Sequence, residues 1–410
     1  MNNLSEIKSC EVCGSNKLES VLNLGSHPLC DDLVPVGNPK VCEEYPIEIL
    51  FCSSCVTAHQ RFQVPKRELF PESYHYRSRF TADVLSGMTA LVNSCEKRLS
   101  TLMGKTVLDI GCNDGSLLDF FRAKGSLTVG IEPTGACVGA QKNGHHAYNA
   151  YLSAEIAETI IKNHGQPDII TFTNVFAHIE NLAEVIDAVK LLVSPTTMIV
   201  IENHYLGSVL ALNQFDTFYH EHPRSYSYSS FIEIAKNIGL DIKGVEFPSR
   251  YGGNIRVFMG GPTVPSSLDN TEIILNEEKN FLDKFATLRE NINKWKINKG
   301  KLIEQLTKNN KTIPGKAFPG RAAILMKLLD IDNTVMPFVF EKPGSMKIGH
   351  YIPGTRIPIL SDDDLFDSKN KPSDILNLAW HISKEIKSYL TTNGFDGNII
   401  DILNTEDFRE

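Results

Sequence analysis

No run of about 18 consecutive apolar residues occurs in this 410-residue chain, so a membrane-spanning helix is not expected. The opening residues, Met-Asn-Asn-Leu-Ser-Glu, lack the basic and apolar regions of a secretion signal, which predicts a cytoplasmic protein. Positive charge is short as well. A formal net charge of -8 argues against nucleic acid as a partner. The nine cysteines are an odd number, and four fall in Cys-x-x-Cys pairs, so a bound metal in a reducing compartment is expected rather than a disulfide framework. What is present, 42% hydrophobic and 22% charged residues, is ordinary for a globular chain of two or three domains.

Cys10-Glu-Val-Cys13-Gly and Cys52-Ser-Ser-Cys55 form two knuckles. In a tight Cys-x-x-Cys turn both thiolates face one ion, and two turns complete a tetrahedral sulfur shell, the signature of structural zinc. A redox reading would place one such pair at a helix start instead. The 38 residues between the knuckles are cut by Gly25, Pro35, Gly37 and Pro39 into short pieces that read as a β-rich insertion. With four sulfur ligands the zinc has no open position and serves the fold. Glu43, Glu44 and Glu48 make the insertion acidic, which disfavours nucleic-acid binding through this head.

The stretch from Thr106 to Gly115, Thr-Val-Leu-Asp-Ile-Gly-Cys-Asn-Asp-Gly, reads as a buried parallel strand ending in a glycine turn before a helix. A second strand, 127–132, has Glu132 as its last residue, placed to accept the hydroxyls of a ribose. A dinucleotide site would need Gly-x-Gly-x-x-Gly so that pyrophosphate rests on the helix N-terminus. Asp109 and Asp114 would repel it and suit the ammonium of S-adenosylmethionine. The expected cofactor residues are therefore Asp109, Gly111, Asn113, Asp114, Gly115 and Glu132. Strands at 167–174 and 197–203 continue the alternation. Ligands bind beyond the carboxyl ends of such strands, which adds Asn174 to the cofactor side and makes His178, Glu202, Asn203, His204 and Tyr205 pocket candidates. Residues 216–222, Asp-Thr-Phe-Tyr-His-Glu-His, crowd proton-handling groups into one short segment, where a histidine beside a carboxylate makes a tunable base.

The cysteine head, the methyl-donor loop and the Phe-Tyr-His-Glu-His run together resemble the sugar C-methyltransferase family that acts on nucleotide-linked keto-deoxysugars in deoxysugar and lipopolysaccharide biosynthesis. Tyr74-His-Tyr76-Arg-Ser78 is similar to the family's aromatic segment after the zinc head. Tyr251-Gly-Gly-Asn-Ile-Arg256 resembles its Gly-Gly-Ser-Leu-Arg motif, and residues 349–359 (Gly-His-Tyr-Ile-Pro-Gly-Thr-Arg-Ile-Pro-Ile) match its C-terminal run. The likeness spans essentially the whole chain. It implies an α/β architecture: a zinc-binding domain (1–80), a central class I, doubly wound methyltransferase domain (81–265) and a smaller C-terminal α/β Rossmann-like domain (266–410) contributing to nucleotide-sugar binding.

The reaction so implied is methyl transfer to C3 of a 4-keto-6-deoxysugar through an enolate. His222 or Tyr219 is the expected base, Glu221 orients it, and Tyr76 and His178 complete a proton relay or donate to the enolate oxygen. Arg256, Lys316, Arg321 and Lys347 are expected on the diphosphate, with Tyr74, Arg77, Asn203, Tyr205, Asn254, Glu341 and Tyr351 lining the substrate side. The chain departs from the family where Gly315-Lys-Ala-Phe-Pro-Gly320-Arg321 replaces Gly-x-x-x-Lys-Gly-Asn, and at Tyr251, Asn254 and Glu341. An O- or N-methyltransferase on a sugar or capsule precursor would use the same cluster on a hydroxyl or amine, and a zinc-headed regulator would bind the cofactor without turnover. A monomer or dimer is expected.

Overall fold

The computed structural model of the chain describes residues 4–70, 82–269, 271–308, 311–369 and 371–408. They group into two compact units. The first comprises 1–19, 50–208 and 221–282, and the second 20–49, 209–220 and 283–410. No helix among the described residues is long and apolar enough to cross a membrane.

The first unit is built on a seven-stranded sheet of β1 (Thr106–Ile110), β2 (Leu127–Ile131), β3 (His146–Tyr148), β4 (Ile169–Thr173), β5 (Met198–His204), β6 (Asp241–Glu246) and β7 (Asn254–Gly260). Their order is β3-β2-β1-β4-β5-β7-β6. Strands β1 to β5 run parallel, and β7 pairs antiparallel with both β5 and β6. This is the class I methyltransferase topology. Because helices cover both faces, the central strands read as nearly continuous apolar runs. Along β5, Ile199 and Ile201 pack with Phe172, Phe176 and Val257, while Met198 and Val200 pack with Val107 and Phe258 on the other face. Helix starts are signalled locally. Ser153 caps Ala154–His164, Asn181 caps Leu182–Leu192, and Ser227 with Ser230 forms a capping box on Tyr228–Ile238, each satisfying an otherwise orphaned backbone N–H.

The second unit carries five parallel strands, β8 (Gly315–Lys316), β9 (Val339–Glu341), β10 (Ile359–Ser361), β11 (Asp374–Asn377) and β12 (Asn398–Asp401), in the order β10-β9-β8-β11-β12. Strand order reverses about β8, the arrangement of a small Rossmann-like sheet. The helix Phe281–Leu306, nearly all of it in this unit, buries Trp295 completely. Trp295 donates its indole N–H to the Ile402 carbonyl (2.9 Å) and meets Phe215 edge-on at 5.0 Å. Burying so large a ring together with its polar atom satisfied anchors the helix.

Candidate functional site

The four cysteine sulfurs of the head, Cys10, Cys13, Cys52 and Cys55, lie within 4.8 Å of one another. Cys10 and Cys55 are 3.4 Å apart and Cys13 and Cys52 3.6 Å, too far for a disulfide. Sulfurs bound at ~2.3 Å on a tetrahedral zinc stand roughly 3.8 Å apart, so the cage fits the ion with small adjustment. Zinc there closes the two knuckles and offers no site for substrate.

Beyond β1 the backbone makes a left-handed turn at Gly111 (φ 76°), Asn113 (φ 51°) and Gly115 (φ 83°). A Cβ on Gly111 would sit 2.4 Å from Val175 Cγ2, which is why only glycine fits. Asn113 N–H donates to Glu132 Oε2 (3.0 Å), and Thr134 donates its N–H (2.9 Å) and hydroxyl (2.6 Å) to Oε1. The glutamate is thus fixed with acceptor capacity left on Oε2 for a ribose hydroxyl.

Asp109 lies opposite Thr171 of β4 and accepts its hydroxyl at 2.7 Å. Burial pushes the Asp109 carboxyl up to about 7, against the Thr171 hydrogen bond and reinforced by the charge of Glu132. Asp114 Oδ1 accepts the N–H (3.2 Å) and hydroxyl (2.5 Å) of Ser116. A carboxylate therefore caps the N-terminus of helix Ser116–Ala123, where a dinucleotide pyrophosphate would need to sit. The donor set fits S-adenosylmethionine, whose ammonium and ribose both favour acidic partners.

At the carboxyl ends of β4 and β5 polar groups converge. Asn174 (φ 53°) donates its N–H to the Glu202 carbonyl (2.7 Å) and accepts from Asn254 Nδ2 (3.3 Å). His178 ends the short turn Phe176–His178. The His222 ring lies 4.9 Å from that of His178 and 5.6 Å from that of His204, edge-on to each. Burial drives the His178 imidazole down to about 4, so at neutral pH it is an uncharged ring. Its Nδ1 has no hydrogen-bond partner among the described residues, nor has either amide atom of Asn203, which is 1% exposed. Buried polar atoms without partners are costly, and these lie on or just beyond the carboxyl-terminal ends of β4 and β5.

The segment 216–222 crosses the boundary between the two units. Glu221 and His222 belong to the first unit, and Asp216, Tyr219 and His220 to the second. There His220 Nε2 pairs with the Tyr45 carbonyl (3.0 Å), and Asp216 Oδ2 accepts from Trp380 Nε1 (2.9 Å) and faces Arg321 Nε (3.2 Å). Tyr74, Tyr76 and Arg77 lie outside the described residues.

Several expected substrate residues are engaged inside their own unit. Arg256 is buried, with Nε on Glu202 Oε2 (2.7 Å), Nη1 on Glu246 Oε2 (2.8 Å) and Nη2 near the Gly87 carbonyl (3.5 Å). Asn254 donates to Glu202 Oε1 at 3.0 Å, so it braces Asn174. Tyr205 donates its hydroxyl to Glu278 Oε1 (3.0 Å). Lys316 is gripped by both carboxylate oxygens of Asp362 (2.8 and 2.7 Å). Around Phe318, Glu341 accepts the backbone N–H (2.7 Å) and Lys347 donates to the carbonyl (2.7 Å). Tyr351 accepts from Gly37 N–H at 3.2 Å. Arg321 keeps its Nη2, and Asp216 its Oδ1, without a partner among the described residues.

Sequence reasoning overlooked Asp362, Arg250, Glu11 and Arg224. Asp362 is the distant counter-charge of Lys316, Arg250 Nη1 donates to Glu202 Oε1 (3.1 Å), and Glu11 pairs with Arg224; Glu11 inside the first knuckle, Arg250 beside Tyr251 and Arg224 two residues past His222 each stand next to a motif.

The chain matches three protein families in succession: a zinc binding domain over 10–70, a methyltransferase domain over 80–243 and a C-methyltransferase C-terminal domain over 249–400. It is 28% identical to C-methyltransferase NovU of Streptomyces niveus over 403 residues, 95% of this chain and 94% of that one. Over 108 residues it is 28% identical to a ubiquinone biosynthesis O-methyltransferase of Rhodopseudomonas palustris, covering 26% of this chain and 42% of the relative. Among solved structures, magnesium protoporphyrin IX methyltransferase from Synechocystis PCC 6803 with bound SAH aligns at 16% identity and a TM-score of 0.35, over 44% of this chain and 84% of that one.

Proposed function

Since the chain belongs to a C-methyltransferase family with a zinc-binding head and an S-adenosylmethionine domain, we propose that it methylates C3 of a nucleotide-linked 4-keto-6-deoxysugar through an enolate. Bound S-adenosylmethionine supplies an electrophilic methyl group. Carbon becomes a nucleophile only when a neighbouring ketone acidifies its proton, so this chain must provide a base, a donor to the enolate oxygen and a fixed approach of about 3–3.5 Å.

His222 is the base in this reading, with Glu221 orienting it and Tyr219 as the competing candidate. His178 is too weak a base at about 4 to hold the abstracted proton near neutral pH. A neutral buried imidazole is instead a suitable hydrogen-bond donor to a developing oxyanion. Asn203 offers a further donor and acceptor. Glu132 and Asp109 hold the ribose and ammonium of the cofactor, with Gly111 and Asn113 shaping the loop against it. In the second unit Arg321 is a diphosphate contact in this reading through Nη2, which has no partner among the described residues, while its Nε faces Asp216. The Lys316 charge is already matched by Asp362.

The observation that carries the proposal is the edge-on trio His178, His222 and His204 at the strand ends of a methyltransferase fold. Proton NMR in deuterated water, on a panel of enzymatically generated 4-keto-6-deoxy nucleotide sugars without methyl donor, tests it. Exchange at C3 that His222→Asn abolishes and His178→Asn slows is the expected result. An inert C3–H on a substrate that is nonetheless methylated would sink the carbon mechanism and favour oxygen or nitrogen as acceptor.

A further inference from the structure

We infer that Arg224 is a positioning residue through which the zinc-binding knuckle sets the geometry of the His178–His222 pair. The Arg224 guanidinium is fully buried. Nη1 donates to Glu11 Oε2 (2.5 Å), Nε to the Tyr226 hydroxyl (3.0 Å) and Nη2 to the Glu180 carbonyl (3.3 Å). Three parts of the first unit thus meet on one planar fork. Glu11 lies between Cys10 and Cys13, Glu180 follows His178 by two residues, and Arg224 itself follows His222 by two.

Glu11 is the carboxylate that balances this charge, and a buried guanidinium deprived of its counter-ion is strongly unfavourable. Glu11 is in turn held by the metal cage. Its Oε2 accepts from Gln63 Nε2 (2.7 Å) and faces His59 Nδ1 (3.7 Å), while His59 Nε2 lies 3.3 Å from Cys10 Sγ. Donors of this kind orient a metal's thiolate ligands.

The backbone follows the same path. His59 and Ala58 pair antiparallel with Arg224 and Ser225, and Gln60 N–H donates to the Pro223 carbonyl (2.8 Å) directly after His222. Further along, Cys55 Sγ meets Thr57 Oγ1 (3.1 Å), which bonds Ser230 Oγ (2.8 Å) at the start of helix Tyr228–Ile238. The strand after the second knuckle therefore pins both ends of residues 223–230. Loss of the ion frees Glu11, and the fork that spaces the two histidines loses one of its three anchors.

Only the kinetic part of this inference rests on the proposed proton chemistry. The experiment uses the full-length zinc protein and Glu11→Gln, Arg224→Lys, His59→Gln and His59→Leu. It reads chelator-driven zinc release, the imidazole resonances of His178 and His222, and kcat against KM for S-adenosylmethionine. Glu11→Gln and His59→Leu are expected to release zinc about 10- to 100-fold faster and to shift both imidazole signals, with His59→Gln close to wild type. Arg224→Lys should shift the same signals and lower kcat about 10-fold or more while KM for the cofactor stays within about two-fold.

Chelation of the wild-type protein should move those resonances the same way, a result that holds even where a variant fails to fold. Unchanged imidazole signals on zinc removal and in Arg224→Lys would overturn the inference. Shifted signals in a protein that methylates no sugar would leave the coupling standing and count against the proposed function instead.

Discussion

Replacing Asp109 by asparagine keeps the shape of a side chain that is 3% exposed and receives the Thr171 hydroxyl, and removes only its ability to ionise. Burial lifts this carboxyl from 3.8 to about 7, a difference worth about 4 kcal/mol at 1.36 kcal/mol per pH unit. Between those pH values the folded chain keeps a proton that the unfolded chain has released. Native stability therefore falls as pH rises through the window and is lowest above it. Asparagine carries no such dependence. From pH 5 to pH 8 the stability of Asp109→Asn relative to wild type should rise by roughly 2–3 kcal/mol. For a domain of this size that is about 5–10 °C in the melting temperature of the cofactor-free protein. Affinity for S-adenosylmethionine should move oppositely, because the ammonium favours the ionised carboxylate: wild type gains affinity from pH 5 to pH 8 and the variant does not. Scanning calorimetry and isothermal titration at the two pH values measure both. A melting difference between variant and wild type that is the same at pH 5 and pH 8 refutes the reasoning.

Lys316→Met strands the fully buried Asp362 and should cost about 3–5 kcal/mol in urea denaturation, most of it restored by adding Asp362→Leu. Unchanged stability with weakened nucleotide-sugar binding would make Lys316 a ligand contact after all. Gly111→Ala meets Val175 at 2.4 Å and must also hold φ 76°. Cofactor affinity should drop at least about 10-fold by titration calorimetry, and Val175→Ala should restore only part of it, because about 1–2 kcal/mol of left-handed strain stays.

Elements that depend on neighbours in sequence were legible in advance. The strand at Thr106–Ile110, the glycine turn and the acidic end of the second strand show themselves as apolar runs, breakers and spacing, and all three stand where expected. The cysteine spacing alone indicated one tetrahedral cage, which the sulfur positions fit. The charge of a side chain in its setting is another matter, because its partner lies far along the chain. Lys316 and Asp362 are 46 residues apart, Arg256 and Glu202 are 54 apart, and Arg224 and Glu11 are 213 apart. From sequence, a basic residue in a family-like motif reads as a phosphate contact; folded, three of the four expected cations, Arg256, Lys316 and Arg321, sit in buried ion pairs with carboxylates far along the chain.

The run 216–222 shows the same limit. Its composition announced proton chemistry, yet only packing could assign Asp216 and His220 to one unit and Glu221 and His222 to the other. Adjacent residues in an irregular segment point in directions set by what they pack against, not by their spacing. Sequence by itself determined the fold type, the zinc cage and the acidic cofactor loop, because these rest on local geometry. Tertiary structure alone decided which polar groups are left without partners and which are neutralised, because burial and long-range pairing set that balance.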